Sequence, residues 1–205
     1  YFDTCYFVDD DPAPRPLSGY QTDGLTDLAV ECLCRRRDAR CPFCCVLSVE
    51  APHPPFQAPA EWEERWRSRD LTLPPNFLVP GEYDADTTAF PRQLTEDDRA
   101  VTIRDRRLYY AMVENLDWNV GRLLRALEKS GEADNTIVVF VSDHGEMGGS
   151  HALAEKQYPY EESIGIPLVV CHPLAGRRQT RVVETPVGTE DLFPTILGMA
   201  GLAPA

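Results

Sequence analysis

The chain has 205 residues, which is enough to bury a substantial core within one domain, and its formal net charge is −13 at pH 7. This acidic balance disfavours nucleic-acid binding, which needs a basic surface. No apolar run approaches the roughly 20 residues of a membrane-spanning helix. We therefore expect a single domain over residues 1–205 that binds no nucleic acid and has no membrane span.

The first forty residues predict an irregular segment followed by a helix. Residues 1–23 are rich in proline, and the acidic run at 9–11 lacks a buried strand ahead of it, so we interpret both as loop. Residues 23–37 carry apolar side chains at helical spacing. Residues 43–49 (FCCVLSV) then have the pattern of a buried strand.

Five of the seven cysteines lie between positions 32 and 45, with C-x-C and C-x2-C spacings that raise the question of a zinc site. Cys44 and Cys45 fall inside the strand pattern, where free cysteine behaves as a small hydrophobic residue. The arginines at 35–37 stand where zinc ribbons usually have a tight glycine-bearing turn. The pattern therefore favours buried or disulfide-linked cysteines over structural zinc.

The strand at 43–49 leads into a loop in which prolines flank His53. Proline fixes φ, so such a loop holds an imidazole in place at little entropic cost. A rigid histidine at the carboxyl end of a strand can donate to a developing oxyanion or a leaving group. A proline-rich loop that merely contains a histidine explains the same residues equally well.

The middle of the chain combines a long loop with the longest predicted helix. A short helix is expected at 61–67, and residues 68–94 show few regular signals, as functional loops often do. Thr95 is a candidate N-cap, and an apolar stripe continues from there to about Ser130. Gly131 is the expected stop.

The most informative segment follows a buried-strand pattern at 136–141 (TIVVFV), which ends in S-D-H-G-E at 142–146. Asp143 offers the oxygen ligand that hard cations prefer, and His144 offers an imidazole nitrogen. Lys156 supplies a compact positive charge for a phosphate-like or sulfate-like oxyanion. Each residue alone is better explained as a turn cap or a surface charge, but their joint placement after one strand favours a site.

A strand at 166–171 and a terminal helix at 190–200 complete an alternating order of helices and strands. This order predicts an α/β fold with a mostly parallel central sheet flanked by helices.

At this point the chain resembles the C-terminal portion of a sulfatase, within the alkaline-phosphatase-like superfamily. The resemblance covers most of the chain from about Phe43 onward. The matching stretches are APHPPFQAP at 51–59, the segment 109–156 that contains SDHGEMGGSHALAEK, YEESIGIPLVV at 160–170, and PVGTEDLFPTILGMAGL at 186–202. The S-D-H-G motif after a strand, with a lysine thirteen residues beyond the aspartate, is specific.

The resemblance implies a role for each candidate residue. Asp143 and His144 correspond to half of the family's divalent-metal site, with calcium expected first and magnesium or manganese as alternatives. Lys156 and His53 correspond to residues that contact the sulfate group and are counted as catalytic. His151 lies in the family's glycine-x-histidine turn and is counted among the substrate-binding residues, with a structural role favoured over a catalytic one.

Two family features are missing from these residues. Sulfatases carry a nucleophile made by oxidising a cysteine or serine to formylglycine within C/S-x-P-x-R, and a second aspartate pair for the metal. Cys41 has proline at the wrong offset, and the C-x-P at Cys171 has Ala175 where arginine is required. Because the chain also opens on Tyr1, we expect a fragment of a longer sulfatase, inactive alone, with formylglycine upstream.

The implied reaction is hydrolysis of a small-molecule or saccharide sulfate ester, with attack on sulfur by the hydrated aldehyde of formylglycine. Two alternatives stay open at this stage. One is a phosphodiesterase or phosphonate monoester hydrolase of the same superfamily, and the other is a noncatalytic pseudoenzyme or binding module. Cytoplasmic and extracytoplasmic locations are both compatible with the sequence.

Overall fold

The computed structural model describes residues 1–36, 40–82, 93–173 and 180–202. Within these ranges the helices and strands are, in chain order, β1 (Phe2–Val8), β2 (Asp11–Tyr20), α1 (Gln21–Glu31), α2 (Ala60–Arg67), α3 (Arg99–Lys129), β3 (Val138–Val141), α4 (Glu161–Ile164), β4 (Leu168–Cys171) and α5 (Leu192–Met199). A π-helical segment, Cys32–Arg36, extends α1. No helix in these ranges combines the length and the apolar character that crossing a membrane requires.

The N-terminal segment forms an antiparallel hairpin of β1 and β2, so the prediction of an irregular segment was wrong. The prolines of β2 hid the strand from the sequence pattern, yet proline is tolerated on edge strands, and β2 is hydrogen-bonded only to β1 among the described strands. Tyr20, at the end of β2, is buried and lies against the rings of Tyr1 and Phe2 at centroid distances of 5.8 and 5.3 Å. These contacts hold the two ends of the hairpin together.

A buried polar contact joins α1 to α3. The side-chain amides of Asn115 and Asn119 are fully buried, and each donates to the Asp23 carboxylate, at 2.9 and 2.7 Å. Buried amides need such partners because an unpaired one costs free energy.

Helices α2 and α3 hold the described core, and their prediction is confirmed. The side chain of Asp98 accepts a hydrogen bond from the Thr95 backbone N–H at 2.8 Å, in the capping box that precedes α3. Gly131 follows the helix with a φ of +77°, as a C-terminal stop requires. The core cluster comprises Ala51, Ala58, Trp62, Ala111 and Met112.

The core predicts a large stability effect at Met112, whose relative exposure is 0%. Met112→Ala is expected to lower the free energy of unfolding by about 2–5 kcal/mol because it leaves a cavity between α2 and α3. Val113→Ala is the control, since Val113 is on the exposed side of α3 at 38%. Urea unfolding followed by tryptophan fluorescence measures both variants, and equal losses would contradict this placement of the core.

The C-terminal half contains the second sheet, in which β3 pairs with β4 in antiparallel register. The helix predicted at 190–200 is confirmed as α5 after a short 3₁₀ turn. Half of β3 is exposed, so the burial on both faces predicted for the strand at 136–141 was wrong, and all four residues of β4 are exposed as well. Both strand pairs in the described ranges are antiparallel, and the parallel pairing that we expected is absent from them.

Residues 43–49 also differ from the prediction, because the structure assigns no strand there. A strand needs a hydrogen-bonded neighbour, and none of the described strands pairs with this segment. All seven cysteines are free and exposed, so the expectation of buried or disulfide-linked thiols was wrong. Cys44 and Cys45 lie within this unpaired segment, and both are exposed.

Candidate functional site

The loop between β3 and α4, residues 142–160, folds back on itself. The Met147 N–H donates to the Glu155 carbonyl at 2.7 Å, and the Gly149 N–H donates to the Leu153 carbonyl at 2.8 Å. These two bonds close a narrow turn whose ends lie side by side. Lys156, the next residue after the closed part, is therefore returned towards the start of the loop.

Glu146 lies at the neck of this loop, beside the returning end. Its Oε1 atom accepts hydrogen bonds from the Gly148 N–H at 3.2 Å and the Glu155 N–H at 2.6 Å. Burial raises the pKa of Glu146, although these two N–H groups and the Lys156 ammonium act in the opposite direction. The backbone just before Lys156 is thus hydrogen-bonded to a side chain only three residues after Asp143.

The hydrogen bonds of Asp143 and His144 define which of their atoms are available to a ligand. The His144 Nδ1 atom lies 2.8 Å from the Gly145 carbonyl oxygen, which can only accept, so Nδ1 carries the proton in this geometry. The Nε2 lone pair of the neutral ring is then free. Nε2 lies 3.6 Å from Asp143 Oδ2, while Asp143 Oδ1 accepts the His144 backbone N–H at 3.0 Å.

This donor set fits a divalent cation. A nitrogen lone pair and a carboxylate oxygen that face each other without a proton between them repel unless a cation or a proton joins them. A backbone carbonyl that accepts Nδ1–H from a histidine is a common arrangement behind metal-bound imidazoles. The Asp143 side chain is 84% exposed, so the site is open to ligands. Across the described ranges, no group of three or more His, Cys, Asp or Glu side chains is placed to hold a metal, so Asp143 and His144 are two candidate ligands and not a complete set.

Helix α3 supports the loop from one side. The Arg106 guanidinium donates to the Gly148 carbonyl at 2.9 Å and to the Tyr110 hydroxyl at 3.0 Å. Gly148 has a φ of +52°, and a Cβ atom there would lie 2.7 Å from Arg106 Nη1. Glycine therefore satisfies both the left-handed backbone and the close approach of the arginine.

Helix α4 supports the loop at its start. The Gly145 N–H donates to the Ser163 carbonyl at 2.7 Å, and a Cβ atom on Gly145 would lie only 2.2 Å from the Glu162 carbonyl oxygen. The backbone directly after His144 is therefore in contact with α4.

This contact predicts that Gly145→Ala displaces the loop from α4, because the clash is with backbone that cannot rotate away. We expect the free energy of unfolding to fall by about 1–3 kcal/mol and amide exchange to rise in residues 145–156. Gly198→Ala is the matched control, since nothing lies within 4 Å of a Cβ on Gly198. Exchange rates in the loop that match those of the control would contradict the contact.

His151 connects the loop to two other segments. Its ring stacks on Tyr160 at a centroid distance of 4.2 Å, and its Nε2 accepts from the Asn76 side-chain amide at 3.1 Å. Asn76 also donates to Glu162 at 3.1 Å. Burial by itself would raise the pKa of Glu162, but hydrogen bonds from Asn76 and Ser150 and the nearby His151 outweigh it and lower that pKa. These contacts are typical of a residue that holds a loop in place.

His53 lies on a separate loop, packed beside the core. Its Nδ1 donates to the Pro54 carbonyl at 2.6 Å, and its own carbonyl accepts from the Tyr1 hydroxyl at 2.7 Å. The Nε2 lone pair is left free. The structure, which describes all four candidate residues, gives no hydrogen bond between His53 and Asp143, His144 or Lys156. Asp143, His144 and Lys156 thus share one loop, and His53 belongs to another.

The burial of Tyr1, whose hydroxyl donates to the His53 carbonyl, predicts a pH effect on stability. Burial, followed by the nearby Glu50 carboxylate, raises the pKa of Tyr1 from 10.0 to about 12. The folded state thus favours the neutral phenol. Its contribution to the free energy of unfolding is complete below pH 10 and is lost as the pH rises from about 10 to 12. The free energy of unfolding measured against pH should show this loss, and Tyr1→Phe should remove the part of the loss that Tyr1 causes. An unchanged profile in Tyr1→Phe would contradict the burial of the Tyr1 hydroxyl.

Three supporting residues, Glu146, Asn76 and Arg106, were missed in the sequence analysis. Glu146 stands inside the S-D-H-G-E motif, so its position beside the candidate ligands was an available signal. Asn76 and Arg106 contact the loop from distant parts of the chain, and no local pattern marks them.

Comparisons with known proteins identify the family. The Sulfatase family model matches residues 1–202. The Ulvan-active sulfatase of Formosa agariphila is 28% identical over 200 residues, which cover 96% of this chain and 36% of that protein. The uncharacterized sulfatase YidJ of Escherichia coli is 32% identical over 184 residues, which cover 87% of this chain and 35% of that protein. The chain thus spans about a third of the length of these relatives.

Solved structures show the same likeness. The sulfatase-family structure yidJ of Bacteroides fragilis matches with a TM-score of 0.82 and 28% identity, over 98% of this chain and 42% of that one. BT4656, solved with D-glucosamine-2-N,6-O-disulfate, matches with a TM-score of 0.79 and 25% identity, over 95% and 51%. The phosphonate monoester hydrolase of Agrobacterium radiobacter matches at 0.66 and 27%, over 91% and 41%. The predicted α/β fold class, that of the alkaline-phosphatase-like enzymes, is confirmed, and the chain belongs to the sulfatase family.

Proposed function

We propose that this chain supplies part of the active site of a sulfatase that hydrolyses a sulfate ester. The observation that carries the proposal is the geometry of the 142–160 loop. Asp143 Oδ2 and His144 Nε2 lie 3.6 Å apart, and the residue before Lys156 is hydrogen-bonded back to Glu146 in the same loop. A cation site and a fixed positive charge within one loop suit a tetrahedral oxyanion.

Each residue has a distinct role in this proposal. Asp143 and His144 would hold a divalent cation, with calcium preferred and magnesium or manganese as alternatives. When bound, the cation supplies positive charge that offsets the charge developing on the sulfate oxygens. The Lys156 ammonium would pair with a sulfate oxygen, and His53 would act through its free Nε2 once substrate lies between the two loops. His151 would hold the loop beside the substrate.

The nucleophile is assigned to residues outside this chain. These 205 residues contain no C/S-x-P-x-R motif, and they span about a third of the length of the sulfatases they match. We therefore propose that formylglycine and the remaining metal ligands come from a further part of the polypeptide. The chain purified alone is expected to show no turnover of an aryl sulfate, and robust hydrolysis by it would contradict this assignment.

A saccharide sulfate ester is the proposed substrate, with a small-molecule ester as the broader class. The support is that one matched sulfatase is described as active on ulvan, and one matched structure holds a glucosamine disulfate. The likeness to a phosphonate monoester hydrolase keeps phosphonate hydrolysis as a second candidate.

A side-by-side assay tests the proposal. The full-length protein is incubated with aryl sulfate, phosphate monoester, phosphodiester and phosphonate monoester substrates, with calcium, magnesium or manganese added. We expect the highest kcat/KM with a sulfate ester and a loss of activity after chelation. A higher kcat/KM with a phosphonate or phosphodiester would favour the second candidate, and no turnover of any ester would favour a noncatalytic module.

A further inference from the structure

We propose that Asn76 is a positioning residue for the 142–160 loop, and that it acts by fixing the orientation and the tautomer of His151. The inference rests on the proposed function, because this loop carries the candidate metal ligands and Lys156. Asn76 is half-buried and lies 75 positions before His151 in the chain. Its contacts reach both the tip of the loop, residues 149–153, and helix α4.

The side-chain amide of Asn76 makes two hydrogen bonds. Its nitrogen lies 3.1 Å from Glu162 Oε1, on α4, and 3.1 Å from His151 Nε2, at the tip of the loop. An ionised carboxylate can only accept, so the amide presents its NH₂ group to Glu162. The second hydrogen of the same nitrogen is then donated to the His151 ring. Asn76 therefore joins α4 to the tip of the loop.

This pair of bonds decides which nitrogen of His151 carries the proton. Since Nε2 accepts from Asn76, the neutral ring carries its proton on Nδ1. Nδ1 is buried and has no hydrogen-bond partner among the described residues. A buried N–H without a partner is unfavourable, so the surroundings of Nδ1 do not select this tautomer. The donor that selects it is the Asn76 amide.

The backbone at the tip of the loop also depends on this neighbour. His151 and Ala152 have φ values of +55° and +61°, a conformation that residues other than glycine rarely adopt. It persists only where surrounding contacts hold it. The Asn76 carbonyl accepts the His151 N–H at 3.1 Å, and Phe77 forms a β-bridge with Ser150. Residues 76 and 77 thus hold the tip through both backbone and side-chain bonds.

The position of the tip matters because α4 also contacts the start of the loop. The Ser163 carbonyl accepts the Gly145 N–H at 2.7 Å, directly after His144. The Asn76 amide thereby ties the tip to the helix that holds the start. We expect its loss to displace Lys156 relative to His144, and so to weaken the pairing of the Lys156 ammonium with a sulfate oxygen.

Two substitutions remove the side-chain bonds of Asn76 and keep its backbone bond to His151. Asn76→Ala deletes the amide. Asn76→Asp keeps its shape but places an acceptor-only carboxylate beside Glu162 and His151 Nε2. Asn135→Ala and Asn135→Asp, at an exposed position outside the loop, are the matched controls.

The first measurement is the imidazole nitrogen NMR spectrum of the full-length protein, labelled at histidine, at a pH of about 8 where an ordinary histidine is neutral. The His151 signals are identified by their loss in His151→Gln. We expect a proton on Nδ1 and none on Nε2 in the wild type, and a protonated Nε2 in Asn76→Asp. A wild-type His151 with a proton on Nε2 would overturn the inference without any variant of Asn76. An Nε2 that stays unprotonated in Asn76→Asp would overturn it as well.

The second measurement is kcat/KM of the full-length protein for an aryl sulfate, below the melting temperature of every variant. We expect Asn76→Ala and Asn76→Asp to lower kcat/KM about tenfold, because a displaced substrate ligand loses its alignment. The Asn135 variants should equal the wild type. If the wild type hydrolyses sulfate esters and the Asn76 variants match the Asn135 variants, only the inference fails. If the wild type hydrolyses no sulfate ester, the proposed function fails, and the NMR spectra still decide whether Asn76 sets the tautomer of His151.

Discussion

Replacing Asp143 with alanine in the full-length protein is expected to lower kcat/KM for a sulfate ester by about 10³-fold or more. The Asp143 carboxylate is one of two candidate ligands that this chain provides, and its Oδ2 faces the free His144 Nε2 at 3.6 Å. Without it, a divalent cation keeps a single nitrogen ligand on this loop. The loss of activity should therefore be accompanied by a loss of bound metal, measured by elemental analysis after dialysis.

The control for this variant is Asp117→Ala, which removes an exposed carboxylate from α3. It should retain full activity and full metal content, because Asp117 lies on the solvent side of a helix and contacts no site residue. Asp143→Ala with normal metal content and normal turnover would contradict the assignment of Asp143 as a ligand.

Lys156→Ala is the second variant with a large expected effect. Loss of the ammonium removes one fixed positive charge from the sulfate site, and kcat/KM is expected to fall by about 10²–10³-fold. Metal content should stay normal, which separates this variant from Asp143→Ala. Lys156→Arg should recover part of the activity, since it restores the charge with a different shape.

Lys129→Ala, in the last turn of α3, controls for the removal of a lysine away from the site. Steady-state kinetics on an aryl sulfate compares the three lysine variants with the wild type. Equal values for Lys156→Ala and Lys129→Ala would mean that Lys156 is a surface charge rather than a substrate ligand.

Local signals explain which parts of the fold were predictable. Thr95 and Gly131 marked the ends of the long helix because capping and termination depend on residues close in sequence. Strand pairing depends on distant partners, and here it was predicted poorly. Residues 43–49 looked like a strand but have no pairing partner, while the prolines of Asp11–Tyr20 concealed a real one.

In the candidate site, too, features set by neighbouring residues were predictable and features set by distant residues were not. Asp143 and His144 are adjacent, so their pairing followed from the sequence alone, whereas the return of Lys156 required the turn closed by Met147 and Glu155. The glycines at 148 and 149 hinted at such a turn. The contacts of Asn76 with His151 bridge 75 positions and could not be inferred from spacing.

The most direct test of the central claim is a crystal structure of the full-length protein grown with calcium and sulfate, with calcium located by anomalous scattering. We predict a calcium peak about 2.3–2.6 Å from an Asp143 carboxylate oxygen, next to His144 Nε2. A sulfate should lie within hydrogen-bonding distance of Lys156 Nζ. A calcium ion bound elsewhere, with Asp143 and Lys156 pointing away from the sulfate, would contradict the account.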